Sequence, residues 1–176
     1  MPERKGIVTA SGNPITLTGQ ELKVGDKAPD VTLINNDMGE VRLSSFKGKV
    51  LIVASVPSLD TAVCSTETRK FNQKASDLGE DVRILTISMD LPFAQKRWCA
   101  AEGIERVQTL SDHRNAEFGG KYGVLIKELR LLARTVFVID RDWTIRYIQI
   151  VPDLTQEPDY VKALEYATSL AAVASK

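Results

Sequence analysis

The sequence predicts an α/β fold in which a mixed β-sheet is flanked by helices. Three observations carry this expectation. Apolar runs of strand length alternate with segments whose apolar residues recur at helical spacing. Residues 49–56 are almost continuously apolar, as a strand covered on both faces requires. Two strand-like segments then follow one another near the end, 135–140 and 144–151, before a last amphipathic helix.

Taken in order, residues 8–19 read as a hairpin, with Ser11-Gly12-Asn13-Pro14 as turn chemistry and Ile15-Thr16-Leu17-Thr18 alternating after it. Gly25-Asp26-Lys27-Ala28-Pro29-Asp30 is a loop leading to a short strand at 31–34. After the buried strand, Cys64, Thr68, Phe71, Ala75 and Leu78 fall on one helical face. Glu67, Arg69, Lys70, Lys74 and Asp77 occupy other faces, and Gly79 is placed to end the helix. Residues 82–89 read as a strand, and 92–102 as a helix opened by Pro92 and stopped by Gly103. Residues 107–110 give a short strand and 115–122 a helical stretch broken by glycine. The closing strands join across Arg141-Asp142-Trp143, and the last helix, 158–173, carries Tyr160, Leu164, Ala167 and Ala171 on one face.

No repeat, low-complexity run or linker divides the chain, so a single domain over 1–176 is expected, with 1–24 as a hairpin extension. The order β-α-β-α…β-β-α is that of a thioredoxin-like fold with an insertion and an added N-terminal hairpin.

Composition narrows the function. Hydrophobic content of 43% and charged content of 26% are ordinary for a globular protein. Lys+Arg and Asp+Glu both total 23, so nothing draws the chain generally to nucleic acid or to anionic membranes. The longest apolar run, 50–56, is far too short to span a bilayer. The charged start, Met1-Pro2-Glu3-Arg4-Lys5-Gly6, leads into no apolar signal region, and a cytoplasmic protein is expected. Two cysteines, Cys64 and Cys99, lie 35 positions apart, which makes neither a CxxC pair nor a zinc knuckle. No metal site is expected.

The informative segment is Pro57-Ser58-Leu59-Asp60-Thr61-Ala62-Val63-Cys64, between the buried strand and the first helix. Cys64 there falls in a first helical turn, where unpaired backbone N–H groups and the helix dipole favour a thiolate. Thr61 can place a hydroxyl near the same sulfur. The blander alternatives are that Cys64 packs as an inert core residue and that Thr61 only caps the helix. Against the first, strand-to-helix junctions are where open α/β sheets carry their sites.

Pro57…Thr61…Cys64 resembles the Pro-x-x-x-Thr-x-x-Cys signature of the peroxiredoxins. The longer string from Val56 to Cys64 resembles their bacterial thiol peroxidase subgroup. Leu131-Leu132-Ala133-Arg134, Val151-Pro152-Asp153 and Glu157-Pro158-Asp159-Tyr160 agree, and the resemblance runs from Gly6 to the last helix. One departure is Ala62, where the subgroup more often has Pro or Gly.

The resemblance implies roles by position. Cys64 matches the peroxidatic cysteine, Thr61 the hydroxyl that orients peroxide and thiolate, and Pro57 the proline that shields the sulfur. Arg134 matches the arginine that pairs with thiolate and peroxide, and Cys99 the resolving cysteine of the same chain. It further implies hydroperoxide substrates, thioredoxin as reductant, a homodimer, and no metal, flavin or haem. Each role has a plainer counterpart: a solvated Arg134, a strand-ending Pro57, a Cys99 that is only a core thiol, although its place beside the stripe of Ala94, Trp98 and Ala101 rather than on it favours a partly accessible one. His113, the sole histidine, raises a Cys–His hydrolase, but one histidine in the polar loop Ser111-Asp112-His113-Arg114 reads as an ordinary surface residue.

The implied cycle is attack by Cys64 to give a sulfenic acid, condensation with Cys99 to a disulfide, and reduction by an external dithiol. Ionisation alone explains little. A cysteine of pKa ~8.5 is roughly 3% thiolate at pH 7, so full ionisation gains only about 30-fold. Larger acceleration has to come from groups aimed at the peroxide oxygens. Resolution makes a geometric demand, because a disulfide needs Cα atoms within about 7 Å. Local unwinding of the turn after Thr61, of the Cys99 helix, or of both is therefore expected. The alternatives are a peroxide-sensing redox switch with little turnover and a thioredoxin-type disulfide reductase, the latter lacking a second cysteine in Cys64-Ser65-Thr66-Glu67.

Overall fold

The computed structural model describes residues 1–75 and 78–172. In chain order the strands and helices are β1 (Glu3–Ala10), β2 (Asn13–Thr18), β3 (Thr32–Ile34), β4 (Glu40–Arg42), a 3-10 turn (Leu43–Phe46), β5 (Val50–Ser55), α1 (Ala62–Ala75), β6 (Val82–Ser88), α2 (Pro92–Glu102), β7 (Val107–Ser111), α3 (Glu117–Lys121), β8 (Leu125–Ile126), β9 (Leu131–Leu132), β10 (Thr135–Ile139), β11 (Ile145–Ile150) and α4 (Tyr160–Ala172). A seven-stranded sheet runs β11-β10-β5-β6-β7-β3-β4, and a four-stranded one β1-β2-β8-β9. The mixed, helix-flanked sheet with an N-terminal antiparallel strand pair is the fold the sequence predicts.

Strand β5 shows why the sheet forms here. All its residues are buried. Val50, Ile52 and Ala54 pack with Phe71 of α1 and Ala163 and Ala167 of α4. Leu51 and Val53 face the opposite way, into a core with Phe118, Tyr122 and Phe137. The Tyr122 and Phe137 rings meet edge-on at 5.2 Å, and Phe118 stacks on Tyr122 at 4.2 Å. Burying a side chain such as Phe71 contributes about 2–3 kcal/mol, so one central strand anchors two layers.

Strands β5, β6 and β7 are parallel, so α1 and α2 are crossover helices. Both crossovers step the same way across the sheet, and right-handedness then sets both helices on one face. This places the start of α1 and the start of α2 side by side, at the carboxyl ends of β5 and β6. The bounds of α2 are those of the sequence reading. Pro92 suits the first turn, where its missing N–H costs nothing. Gly103 closes the helix at φ +65°, and the next N–H, of Ile104, returns to Cys99 O at 2.9 Å.

Some elements differ from the sequence expectation. β1 starts at Glu3 rather than near residue 8, and α3 starts two residues later and ends one residue earlier than expected. Strands β4, β8 and β9 and the 3-10 turn were not foreseen. Glu67 is buried rather than on an outer face. The placements expected of Asp77 and Val173 lie outside the described residues. Among the described residues no helix is long and apolar enough to cross a membrane.

Candidate active site

Strand β5 ends at Ser55, and residues 56–61 turn the chain into α1. Thr61 caps the helix: its Oγ1 accepts the Cys64 N–H at 3.3 Å, and its carbonyl accepts the Ser65 N–H at 3.0 Å. The same hydroxyl donates to Ser58 O at 3.1 Å. Cys64, in the first turn of α1, is fully buried and clusters with Val56 and Leu59, against which Trp98 packs. Pro57 is buried at the same loop.

Arg134 enters from the segment between β9 and β10. Despite its charge it is 1% exposed. Its backbone is pinned on both sides: Ser55 Oγ donates to Ala133 O at 2.7 Å and also bonds Thr135 Oγ1, while Val151 N–H donates to Arg134 O at 3.0 Å. The guanidinium donates from Nε and Nη2 to Leu154 O (3.3 and 2.8 Å) and from Nη1 to Glu67 Oε2 (3.1 Å). Of its five N–H donors two remain, and the guanidinium also reaches the Cys64 sulfur.

These groups act on the thiol in opposite senses. Burial is the largest influence and pushes the Cys64 thiol up. The Arg134 charge, the Thr61 hydroxyl, the Ser58 backbone and a bond from Arg134 pull it down, and the balance stays above the usual cysteine value. The helix start therefore does not by itself make a ready thiolate, as the sequence had led us to expect; the apolar shell outweighs it.

Glu67 is the residue that the sequence reading missed. It lies three positions after Cys64 on α1, a spacing that puts both on one side of the helix. It is 1% exposed, and its Oε1 has no partner. Burial pushes its carboxyl up to about 8 although Arg134 draws it down. The contact has the distance of an ion pair, but burial favours the protonated acid at neutral pH.

Cys99 is not brought to Cys64. Both are free thiols. Cys99 Sγ lies 3.4 Å from Thr109 Oγ1, which donates to Asn36 Oδ1 at 3.0 Å. It is half-buried in the wall of a cavity of about 360 Å³ that also involves Asn36, Arg83, Arg106 and Thr109 but not Cys64. Burial raises the Cys99 thiol, against the Thr109 and Asn36 side chains. Seven residues separate Cys99 from the start of α2, about 10 Å of helix, whereas Cys64 is in the first turn of α1. His113 donates its N–H to Ser111 Oγ at 3.3 Å, and among the described residues no hydrogen bond ties it to Cys64. No cluster of three or more His, Cys, Asp or Glu able to hold a metal occurs among the described residues.

Comparison with known proteins gives the family. Residues 23–164 match the Redoxin family model. The chain is 58% identical over 159 residues to a thiol peroxidase of Oceanobacillus iheyensis, covering 90% of this chain and 96% of that one. It is 53% identical over 163 residues to the thiol peroxidase of Bacillus subtilis, covering 93% and 97%. Among solved structures, a peroxiredoxin-like protein from Aquifex aeolicus superposes with a TM-score of 0.88 at 44% identity, covering 95% of this chain and 97% of that one. The thiol peroxidase from Chromobacterium violaceum shares the fold, with a TM-score of 0.81 at 18% identity over 92% and 95%. With a buried cysteine at a capped helix start, an arginine inside its apolar shell and relatives of this kind over nine-tenths of its length, the chain belongs to the redoxin family, in the thiol peroxidase group of the peroxiredoxins.

Proposed function

We propose that this thiol-dependent peroxidase reduces hydrogen peroxide and alkyl hydroperoxides through Cys64, with Cys99 as resolving residue and thioredoxin as the external dithiol. Thiol-dependent peroxide reduction is what membership of the group carries; the residue roles and the recycling are our own reading. The observation that bears most weight is that one buried sulfur has Arg134 and Thr61 beside it, inside a shell that excludes bulk water.

In the first step the Cys64 thiolate attacks the nearer oxygen of ROOH. The S–O bond forms, the O–O bond breaks, and the alkoxide leaves as ROH after taking a proton, so that Cys64 is oxidised to a sulfenic acid. In this reading the Arg134 donors that Leu154 O and Glu67 do not hold serve the sulfur and the developing negative charge. Such preorganised donors supply far more than ionisation, at about 1.4 kcal/mol per tenfold. In the second step Cys64–SOH and Cys99–SH condense to a disulfide and water. A dithiol then reduces the disulfide by exchange.

A cytoplasmic setting supplies such a dithiol. A homodimer also belongs to this proposal, and the exposed Leu91 and Phe93, 54% and 66% accessible at the start of α2, offer apolar surface for a second copy.

The test is peroxide consumption coupled to thioredoxin, thioredoxin reductase and NADPH. Cys64→Ser should abolish even the first turnover, while Cys99→Ser should keep one stoichiometric oxidation and lose recycling. Full turnover by Cys64→Ser would refute the assignment. Fast oxidation of the wild type with negligible turnover would favour a redox switch.

A further inference from the structure

The two segments that carry the cysteines are tied together by one side chain. Asp90 lies between β6 and α2. Its Oδ1 accepts from Ser58 Oγ at 2.7 Å, and its Oδ2 from the Leu59 N–H at 2.8 Å, both in the loop that leads to Cys64. Oδ2 also accepts from Ser88 Oγ at 2.8 Å. Ser88 Oγ in turn accepts from Gln95 Nε2 of α2 at 3.0 Å, and the same nitrogen reaches Leu110 O at 2.9 Å. Ser111 Oγ donates to the Asp90 carbonyl. Ser88, Gln95 and Ser111 are all fully buried.

From this network we propose that Asp90 is a positioning residue that latches the Cys64 loop to the start of the Cys99 helix. Peroxide attack then occurs with the latch closed, and disulfide formation requires it to open. The latch presupposes the two-cysteine cycle proposed above.

Packing supplies the second half of the argument. Trp98 packs against the Cys64 cluster, while its neighbour Cys99 faces Thr109. One residue along an α-helix is a rotation of about 100°. Cys99 thus cannot turn towards Cys64 unless α2 rotates or unwinds and lifts Trp98 off the Cys64 cluster. Such a movement carries the start of α2 away from Ser58 and Leu59, and both hydrogen bonds of the loop to Asp90 break. Both end on the one Asp90 carboxyl group, so a single side chain holds two points of the loop. The arrangement would keep the apolar shell shut during attack and set how long the sulfenic acid waits for Cys99.

A stoichiometric pulse of hydrogen peroxide, followed by tryptophan fluorescence in a stopped-flow instrument, separates the two steps. The attack phase scales with peroxide concentration and the resolution phase does not. Asp90→Asn and Ser58→Ala should slow attack and speed resolution, the latter by about tenfold, equivalent to about 1.4 kcal/mol or one hydrogen bond. Rates moving in opposite directions are not what general destabilisation produces. Ser58→Ala removes the Ser58 bond to Asp90 and the bond that Ser58 Oγ accepts from the Asp60 N–H, both in the loop, leaves the buried Ser88–Gln95–Ser111 frame intact, and decides the matter should Asp90→Asn fail to fold. Unchanged phases in Ser58→Ala, or slower resolution, overturn the latch. Thiol titration after the pulse distinguishes the underlying cycle: two thiols lost per peroxide uphold it, whereas one lost in the wild type overturns the cycle and the latch with it.

Discussion

Arg134 and Glu67 meet at 3.1 Å with about 1% of either side chain exposed, yet Glu67 is held by burial closer to a neutral acid than to a carboxylate. The distinction matters for the chemistry next door. A charged Glu67 would neutralise Arg134 and compete with the Cys64 sulfur for it. A protonated Glu67 fixes the guanidinium by a hydrogen bond and leaves its charge to act on the thiolate and on the peroxide oxygens.

Arg134→Met should therefore do two separable things. It leaves Glu67 buried beside an apolar chain, and removing one partner of such a contact costs about 3–5 kcal/mol when the other must stay charged, less when it protonates. It also raises the Cys64 thiol further and lowers the attack rate by at least about a hundredfold. Adding Glu67→Gln should recover part of the melting temperature and none of the attack rate. Recovery of both by the double variant would mean that Arg134 acts only through the fold.

Glu67 also makes stability depend on pH in a definite direction. Its folded value, about 8, lies above its ordinary value of 4.5, so the folded chain holds the proton more tightly than the unfolded one. The stabilisation is complete below about pH 4.5 and is lost as the pH rises towards 8. Wild-type melting temperature should accordingly fall relative to Glu67→Gln across that window. Parallel curves for the two proteins from pH 5 to 8 would show that Glu67 ionises normally.

Much of this was readable in the chain because the signals are local. A Thr three residues before Cys64 is a helix cap, Pro92 and Gly103 bound α2, and the apolar run before Pro57 could only be a strand covered on both faces. What was not readable depends on partners distant in sequence. Glu67 looked like a solvated residue because only Arg134, 67 positions away, makes its burial tolerable. Asp90 sits in an ordinary Ser-Met-Asp-Leu-Pro turn, and its tie to Ser58 spans 32 positions. Strand β4 is three residues long with two of them charged, and β8 and β9 have two residues each, too short for any period to show. The rise in the Cys64 thiol likewise follows from burial, to which Trp98 contributes by packing against the Cys64 cluster from another helix.

The N-terminal strand pair should prove structural rather than an ornament. Gly19, just after β2, has φ +112°, and a Cβ there would lie 2.2 Å from the carbonyl oxygen of Gly120 in α3. Backbone meets backbone, so no rotamer change relieves the collision. Gly19→Ala should cost about 2 kcal/mol or more, from strain and displaced packing together. Urea denaturation provides the measure, with the attack rate of the folded fraction little changed. A midpoint equal to that of the wild type would mean the strand pair is free to shift.

Thr61 has two tasks that separate cleanly by substitution. A hydroxyl has a single hydrogen, and in this structure it points to Ser58 O while the oxygen accepts the Cys64 N–H. To assist the sulfur or a peroxide, the hydroxyl must turn away from Ser58. Thr61→Ser keeps both abilities and should retain the attack rate within about tenfold. Thr61→Val preserves the shape and loses both. Its stability loss should be about 1 kcal/mol, the usual worth of an N-cap. A residue that were only a cap would lose activity no further than that fraying allows. A donor directed at the reacting oxygens is worth about a hundredfold or more in rate, so stopped-flow attack by Thr61→Val should fall well beyond its stability loss. Attack within a few-fold of wild type, alongside the lower melting temperature, would reduce Thr61 to a cap and leave Arg134 as the group that activates the peroxide.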